Sequence, residues 1–216
     1  TVSAGSIKTY NVSVAPFDAP GKAEYTPQVG DFYMSNGAIL PSDSESNKNN
    51  CIGIVYWVPT ADDPLDGHSP AWLPEHSNCI HGLVVGLKEQ QSQWGTNGET
   101  TNTIDSETDG IFRGYSNTKS LVSEHSDYAI VSAYNSLKSG VTLPRDKTSG
   151  WYVPSVGELT KLYQAKNKVD ISLSALGSTS LSLSKYWSSG ESSAYDAWCV
   201  YLYSGYVHVN RRSWDF

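Results

Sequence analysis

Three groups of residues in this 216-residue chain have side chains and spacings able to do chemistry. His68, His76, Cys79 and His81 carry the nitrogen and sulfur atoms that zinc takes, but their intervals match no zinc pattern. Cys79 and His81 flank one residue of an extended run and so share a face, which suits ordinary loop and strand residues. Asp62, Asp63 and Asp66-Gly67 suggest a calcium loop. Pro64 occupies a ligand position of that frame, however, and Leu73 stands where a bidentate Glu belongs. No metal and no cofactor is expected.

The third group is the terminal segment Tyr186 to Phe216, and it is the most informative. Ser204-Gly205 separates two alternating runs, which is a hairpin signal. With those two residues as the loop, Tyr203 faces Tyr206, Leu202 faces Val207, Tyr201 faces His208 and Val200 faces Val209. One face then carries Leu202, Val207, Val200 and Val209 and is expected to be buried, with Trp198 in the same parity. The other carries Tyr203, Tyr206, Tyr201, His208, Cys199 and Asn210. Rings with polar tips, beside Arg211, Arg212 and Asp215, have the chemistry of a recognition surface. The competing reading is a second buried face against a neighbouring layer. No Ser-His-Asp elbow, phosphate-cradling Gly loop or His-Glu-x-x-His motif occurs, so no catalytic residue is assigned.

The elements that must position these rings can be read in order. Residues 5–14 alternate with period two and form a strand, followed by a linker punctuated by Pro16, Pro20, Gly21 and Pro27. Asp31 to Met34, Cys51 to Val58 and Ile80 to Leu87 read as strands, with a long loop from Thr60 to Asn78 and an irregular stretch from Gln90 to Asp109. Within Thr118 to Leu137, the spacing of Ala129, Ile130, Ala133 and Leu137 is helical, and Gly140 ends it. Ser155 and Glu158 form a capping box that opens a second helix with a Leu159, Leu162, Tyr163 stripe. Ile171 to Ser184 reads as a Ser-rich connection. The expectation is an α+β domain with two helices and a small antiparallel sheet.

Composition narrows the function classes. Lys and Arg total 15 against 22 Asp and Glu, a net charge of −7, which argues against nucleic-acid partners and docking on anionic lipid. No run of about 18 apolar residues occurs, so no membrane insertion is expected. The chain opens at Thr1 without a charged, apolar leader, so an export signal has been removed or lies outside this sequence. Its richness in Tyr, Trp, Ser, Thr, Asn and Gly is that of an exported β-rich protein. Cys51, Cys79 and Cys199 allow at most one disulfide, and their apolar settings suit buried free thiols at least as well.

Several segments in one order carry a resemblance: Gly30-Asp31-Phe32-Tyr33, Cys51 to Trp57, His81 to Leu87, Gly150 to Ser155 with Glu158-Leu159, Tyr186-Trp187-Ser188-Ser189 and Ala197-Trp198. Together they resemble the C-type-lectin-like domain at the C-terminus of bacterial surface adhesins, including fimbrillin-type pilus-tip proteins and the Legionella collagen-like adhesin. The match runs from Val29 to Phe216. Residues 4–14 resemble the closing strand of a fimbrillin pilin domain, which implies residues 1–28 as an N-terminal strand and linker and residues 29–216 as the ligand-binding domain. The terminal hairpin also resembles the variable region of lectin-like proteins diversified by retroelements. Two departures stand out. The Arg-Val-Arg-type closing strand is expected to be shortened or missing, and the Glu-Pro-Asn, Gln-Pro-Asp and Trp-Asn-Asp motifs of calcium-dependent sugar binding are absent.

The resemblance implies an extracellular, cell-surface or fimbrial adhesin whose partners are a protein or glycan ligand and other pilus subunits. Ser189, Tyr195, Asp196, Tyr201, Tyr203, Tyr206, His208, Asn210, Arg211 and Trp214 are the expected ligand contacts, held by Trp187, Ser188, Ala197 and Trp198. Two alternatives stand beside it: an enzyme or metal-dependent glycan binder on the same fold, and a structural pilus subunit. The formylglycine-generating enzymes of this broad fold use a pair of cysteines near the C-terminus, where this chain has only Cys199.

Overall fold

The computed structural model describes residues 7–9, 12–13, 25–44, 48–144 and 148–213, with side chains from residue 25 onward. Ten strands are described: β1 (Ile7–Thr9), β2 (Val12–Ser13), β3 (Phe32–Met34), β4 (Ile39–Leu40), β5 (Cys51–Trp57), β6 (Leu83–Gly86), β7 (Gln90–Gln91), β8 (Lys185–Glu191), β9 (Asp196–Tyr201) and β10 (Val207–Arg211). Three α-helices accompany them: α1 (Gly114–Glu124), α2 (Ala129–Lys138) and α3 (Val156–Ala175), with a 3-10 turn at Leu65–His68. No described helix is long and apolar enough to cross a membrane.

The single small sheet expected from the sequence is two five-stranded sheets. One has the order β10-β9-β8-β1-β7 and the other β2-β6-β5-β3-β4. The pairings are antiparallel except that between β1 and β8. β1 lies between β8 and β7, and β2 pairs with β6.

α3 sits between the sheets. Its Val156, Leu159, Leu162, Val169 and Leu173 pack with Phe32, Ile54 and Val85 of one sheet and with Tyr186, Val200 and Leu202 of the other strand group. The capping box is present: Ser155 and Glu158 exchange side-chain and backbone bonds at the helix start. The helix takes the first residues of the expected Ser-rich connection and ends at Ala175, which corrects the start of that stretch. Ser172 is tolerated inside it because its hydroxyl is buried and donates to the Gly30 carbonyl at 2.5 Å. It stops in a Schellman arrangement: Gly177, at φ +69°, donates to Ser174 O, and Ser178 donates to Leu173 O.

A further correction concerns the helical stretch before Gly140, which is two helices rather than one. Tyr128 adopts an extended φ/ψ of −66°/142° between them. Its ring is buried against Trp94, with centroids 5.8 Å apart, and covers Gly95, where any Cβ would overlap it. That burial outweighs the small gain from continuing the helix.

The face of the β8–β9–β10 ribbon opposite α3 is also covered. Trp187, Ala197 and Cys199 pack with Trp94, Leu121, Tyr128, Ile130 and Val153. All three cysteines are free and buried.

Candidate ligand-binding surface

The β9–β10 register fixes what the terminal hairpin displays. Val200 opposes Val207, Cys199 opposes His208, Trp198 opposes Val209, Ala197 opposes Asn210 and Asp196 opposes Arg211. This is two positions away from the expected pairing, so the loop comprises Leu202, Tyr203, Ser204 and Gly205 rather than Ser204-Gly205 alone. A shift of two keeps every residue on its expected face.

The cause is Leu202. Instead of pairing across the hairpin, its N–H donates to Ser184 O at 3.0 Å and its side chain enters the core at 1% exposure. Gly205 then turns the chain at φ +73° directly over the Tyr163 ring of α3. Only glycine fits both demands.

Burial by parity holds only in part. Val200 and Leu202 are buried, whereas Val207, Val209 and Trp198 are half-buried, a correction to the expected core face. β10 is the edge strand of its sheet, and Val207 and Trp198 pack at the margin of the core around α3.

The ten expected contact residues do not form one surface. Tyr201, Tyr203, Tyr206 and His208 gather at the loop end. Tyr201 is their common neighbour, with centroids 5.6 Å from Tyr203, 6.0 Å from Tyr206 and 6.2 Å from His208. Tyr206 and His208 stack at 5.7 Å. Lys185, opposite Tyr201 on β8, holds its ammonium 5.0 Å from the Tyr201 ring. Tyr203 and Tyr206 are 61% and 59% exposed, while Tyr201 and His208 are half-buried and form the floor.

Tyr195, Asp196 and Arg211 make a second group at the other end of the strands, roughly 16 Å away along the ribbon. The Arg211 guanidinium lies 5.6 Å from the Tyr195 ring, and its Nε is 3.6 Å from Asp196. Asp196 and Arg211 have the parity of Trp198, the face opposite Tyr201 and His208.

Two expected contacts are buried, which corrects their assignment. Ser189 is fully covered, accepting from Asn117 Nδ2 at 3.2 Å and donating its N–H to Pro154 O at 2.7 Å. Asn210 is 6% exposed and donates to the Cys199 sulfur at 2.9 Å. The covering layer of Trp94, α1 and α2 reaches this end of the ribbon, and Tyr201 packs half-buried at its margin. Trp214 lies outside the described residues.

Arg212, read as exposed, is the most enclosed cation described. At 0% exposure it donates to Thr96 O at 3.3 Å, Glu99 O at 2.7 Å and Ser193 O at 2.9 Å, and it pairs with Glu191. Its guanidinium also covers the Trp94 ring at 4.7 Å. Strand parity puts Arg212 on the face of Asn210, which reads as exposed in the sequence; the Trp94 layer that covers this face comes from distant residues.

Hydrogen bonds tie the frame behind the rings together. Trp187 Nε1 donates to Ser92 O at 3.0 Å, Trp94 Nε1 to Ser188 O at 2.8 Å, and Ser188 Oγ to Asp105. Asp105 also accepts from the Val156 N–H at 2.9 Å. Burial raises its pKa to about 6, against the hydrogen bonds that favour the anion. Glu158 takes bonds from Ser155 N at 2.6 Å, Ser155 Oγ at 2.9 Å and Gly114 N at 3.1 Å, and burial raises it to about 7. These carboxylates tie α3, α1 and β8 together.

Cavities of about 640 and 360 Å³ lie between α1, α2 and residues 141–143 and 149–152, and between β5, β6 and residues 140–142. Neither is lined by Asp105, Glu158 or any of the ten expected contacts.

Several of the residues considered for metal binding are engaged otherwise. His68 stacks on Phe112 at 4.2 Å and bonds Gly110 O and Asp63, each at 2.8 Å. Asp63 also takes Lys161 at 2.7 Å and Trp57 Nε1 at 2.6 Å, which holds its pKa down at about 2 against partial burial. His76 meets Tyr115 at 3.1 Å, and Cys79 is buried. Among the described residues no three His, Cys, Asp or Glu side chains stand close enough to hold a metal.

No protein-family model matches the chain. It is similar to the Bacteroides ovatus protein named "Putative fimbrium tip subunit Fim1C", 29% identical across 76% of this chain and 39% of the relative. Among solved structures it is similar to a fimbrial protein from Bacteroides ovatus, with a TM-score of 0.64 and 25% identity over 86% of this chain and 46% of that one. The chain thus spans less than half the length of either, and its homologues are fimbrial proteins.

Proposed function

We propose that this chain is the ligand-binding module of a fimbrial tip adhesin, exported to the cell surface, with a C-type-lectin-like domain over residues 29–216. The observation that carries the reading is the four-ring cluster at the β9–β10 loop: two exposed tyrosines on a floor of Tyr201 and His208, held by the buried Leu202. Rings already fixed in place lose little entropy on binding, and Tyr supplies large contact area with a polar tip. Similarity to a fimbrium tip subunit supports placement on a fimbrium.

Residues 1–28 then belong to the trailing strand of a preceding pilin-type domain, which docks through β1 and β2 onto the two sheets. Other pilus subunits would contact the remainder of that protein. Specificity resides in the loop and adjoining strand residues, which the retroelement-type variable region would diversify. The core positions beneath stay fixed. No catalytic role is assigned, because the two buried carboxylates with raised pKa tie secondary structure together and line neither cavity.

The test is an exchange of residues 202–208, with Leu202 and Gly205 kept, for those of a related domain. Attachment of chain-coated beads to host or bacterial cells should change its target while the melting temperature holds. Unchanged attachment would place the contact elsewhere. Loss of pilus incorporation with attachment intact would make the rings a subunit interface.

A further inference from the structure

The geometry points to a neutral saccharide as the ligand class of the four-ring cluster, an inference that rests on the adhesin reading above. Four features lead there. The first is shape. Tyr203 stands at 79° to Tyr201, and Tyr206, tilted 56° from Tyr201, stacks on His208, so the cluster presents one upright ring beside one lying ring. A pyranose presents a flat patch of C–H bonds on a face and hydroxyls around its rim. The faces of such rings receive the C–H patch, while phenol and imidazole tips meet the rim.

The second feature is size. A protein partner needs roughly 800 Å² on each side and a central anchor in a pocket. Here the exposed rings are two, and both sizeable cavities lie elsewhere in the fold. One or two sugar units match that footprint.

The third is charge. The chain carries a net −7, which opposes a polyanionic glycan at long range; no carboxylate belongs to the cluster to select a cationic ligand, and the Lys185 ammonium beside it lies over the Tyr201 ring at 5.0 Å. The fourth is rigidity. Leu202 and Gly205 fix both ends of the loop, and the Tyr206 N–H is held by Ser204 Oγ at 3.3 Å, so the rings are set before the ligand arrives.

The experiment titrates the isotope-labelled chain with neutral saccharides of glucose, galactose, mannose, fucose and N-acetylhexosamines, and with their sialylated and sulfated counterparts. Cell attachment of the same variants is measured in parallel. At least one neutral saccharide should shift the Tyr203 and Tyr206 ring signals. Its dissociation constant should rise at least tenfold in Tyr203→Ala and in Tyr206→Ala, and less in Tyr203→Phe, which keeps the ring. Superposable amide spectra would show that the variants fold.

Binding only to sialylated or sulfated sugars overturns the neutral class, and so does saccharide binding that ignores both alanine variants. If no saccharide binds while the Tyr203→Ala/Tyr206→Ala chain loses attachment, the partner is a protein and the surface stands. If that double variant attaches normally, both the saccharide and the surface are wrong.

Discussion

Gly205 lies directly over the ring of Tyr163, so close that any Cβ at that position would overlap the ring edge. This contact seats the β9–β10 loop on α3. Gly205→Ala should cost about 2 kcal/mol or more, the sum of a left-handed backbone and a steric clash. Chemical denaturation of Gly205→Ala with and without Tyr163→Ala checks it, because removing the ring should recover the steric share. A neutral Gly205→Ala would mean that the loop is not held by this contact.

The two adjacent arginines should behave in opposite ways. Arg212→Met leaves Glu191 and several carbonyls without their donor in a buried setting, a loss of about 3–5 kcal/mol. Arg212→Lys should not restore it, since one ammonium cannot span that fork of acceptors. Arg211→Ala removes a half-exposed partner of Asp196 and should cost at most about 1 kcal/mol. Urea midpoints of the three variants decide the matter.

Stability should fall as pH rises from about 4 to 7. Glu158 and Asp105 have folded-state pKa values raised to about 7 and about 6. Their contribution is fully present below their unfolded values and is lost as pH climbs through the folded ones. Asp63, lowered to about 2, acts with the opposite sign: its contribution is present above its unfolded value and disappears as pH falls toward 2. A melting temperature measured across pH should therefore peak near 4–5. Glu158→Gln should flatten the upper limb. A profile still rising at pH 7 would contradict the burial assigned to these carboxylates.

Much of this architecture was legible in the residues, and the exceptions have physical causes. The capping box at Ser155 and Glu158 is a local signal, and local signals survive in any fold. Side-chain parity in the hairpin was legible too, because alternation fixes the faces within each strand and the register differs by two. The register itself depended on Leu202 leaving the ladder for α3, a tertiary preference that turn chemistry at Ser204-Gly205 does not encode. Ser189 and Asn210 looked like contact residues since small polar side chains read as exposed. Their burial follows from the layer of Trp94, α1 and α2, which comes from distant sequence. The break at Tyr128 has the same origin, in its packing against Trp94 and Gly95.

The core and the rings should separate energetically. Leu202→Ala should lower stability by about 2–5 kcal/mol, since a fully buried side chain is removed beneath the loop. Thermal denaturation of this variant beside Tyr203→Ala checks it. Equal losses in the two would mean that the exposed ring also supports the fold.

The central claim is that the exposed tyrosines of the loop capture a ligand on a frame that does not need them. Attachment to cells of beads carrying the Tyr203→Ala/Tyr206→Ala chain, read beside its melting temperature, tests this most directly. Each such anchor is typically worth about 2 kcal/mol or more. The account predicts a loss of attachment of at least tenfold with a melting temperature within about 2 °C of the parent. Attachment equal to the parent, with the fold intact, would contradict it.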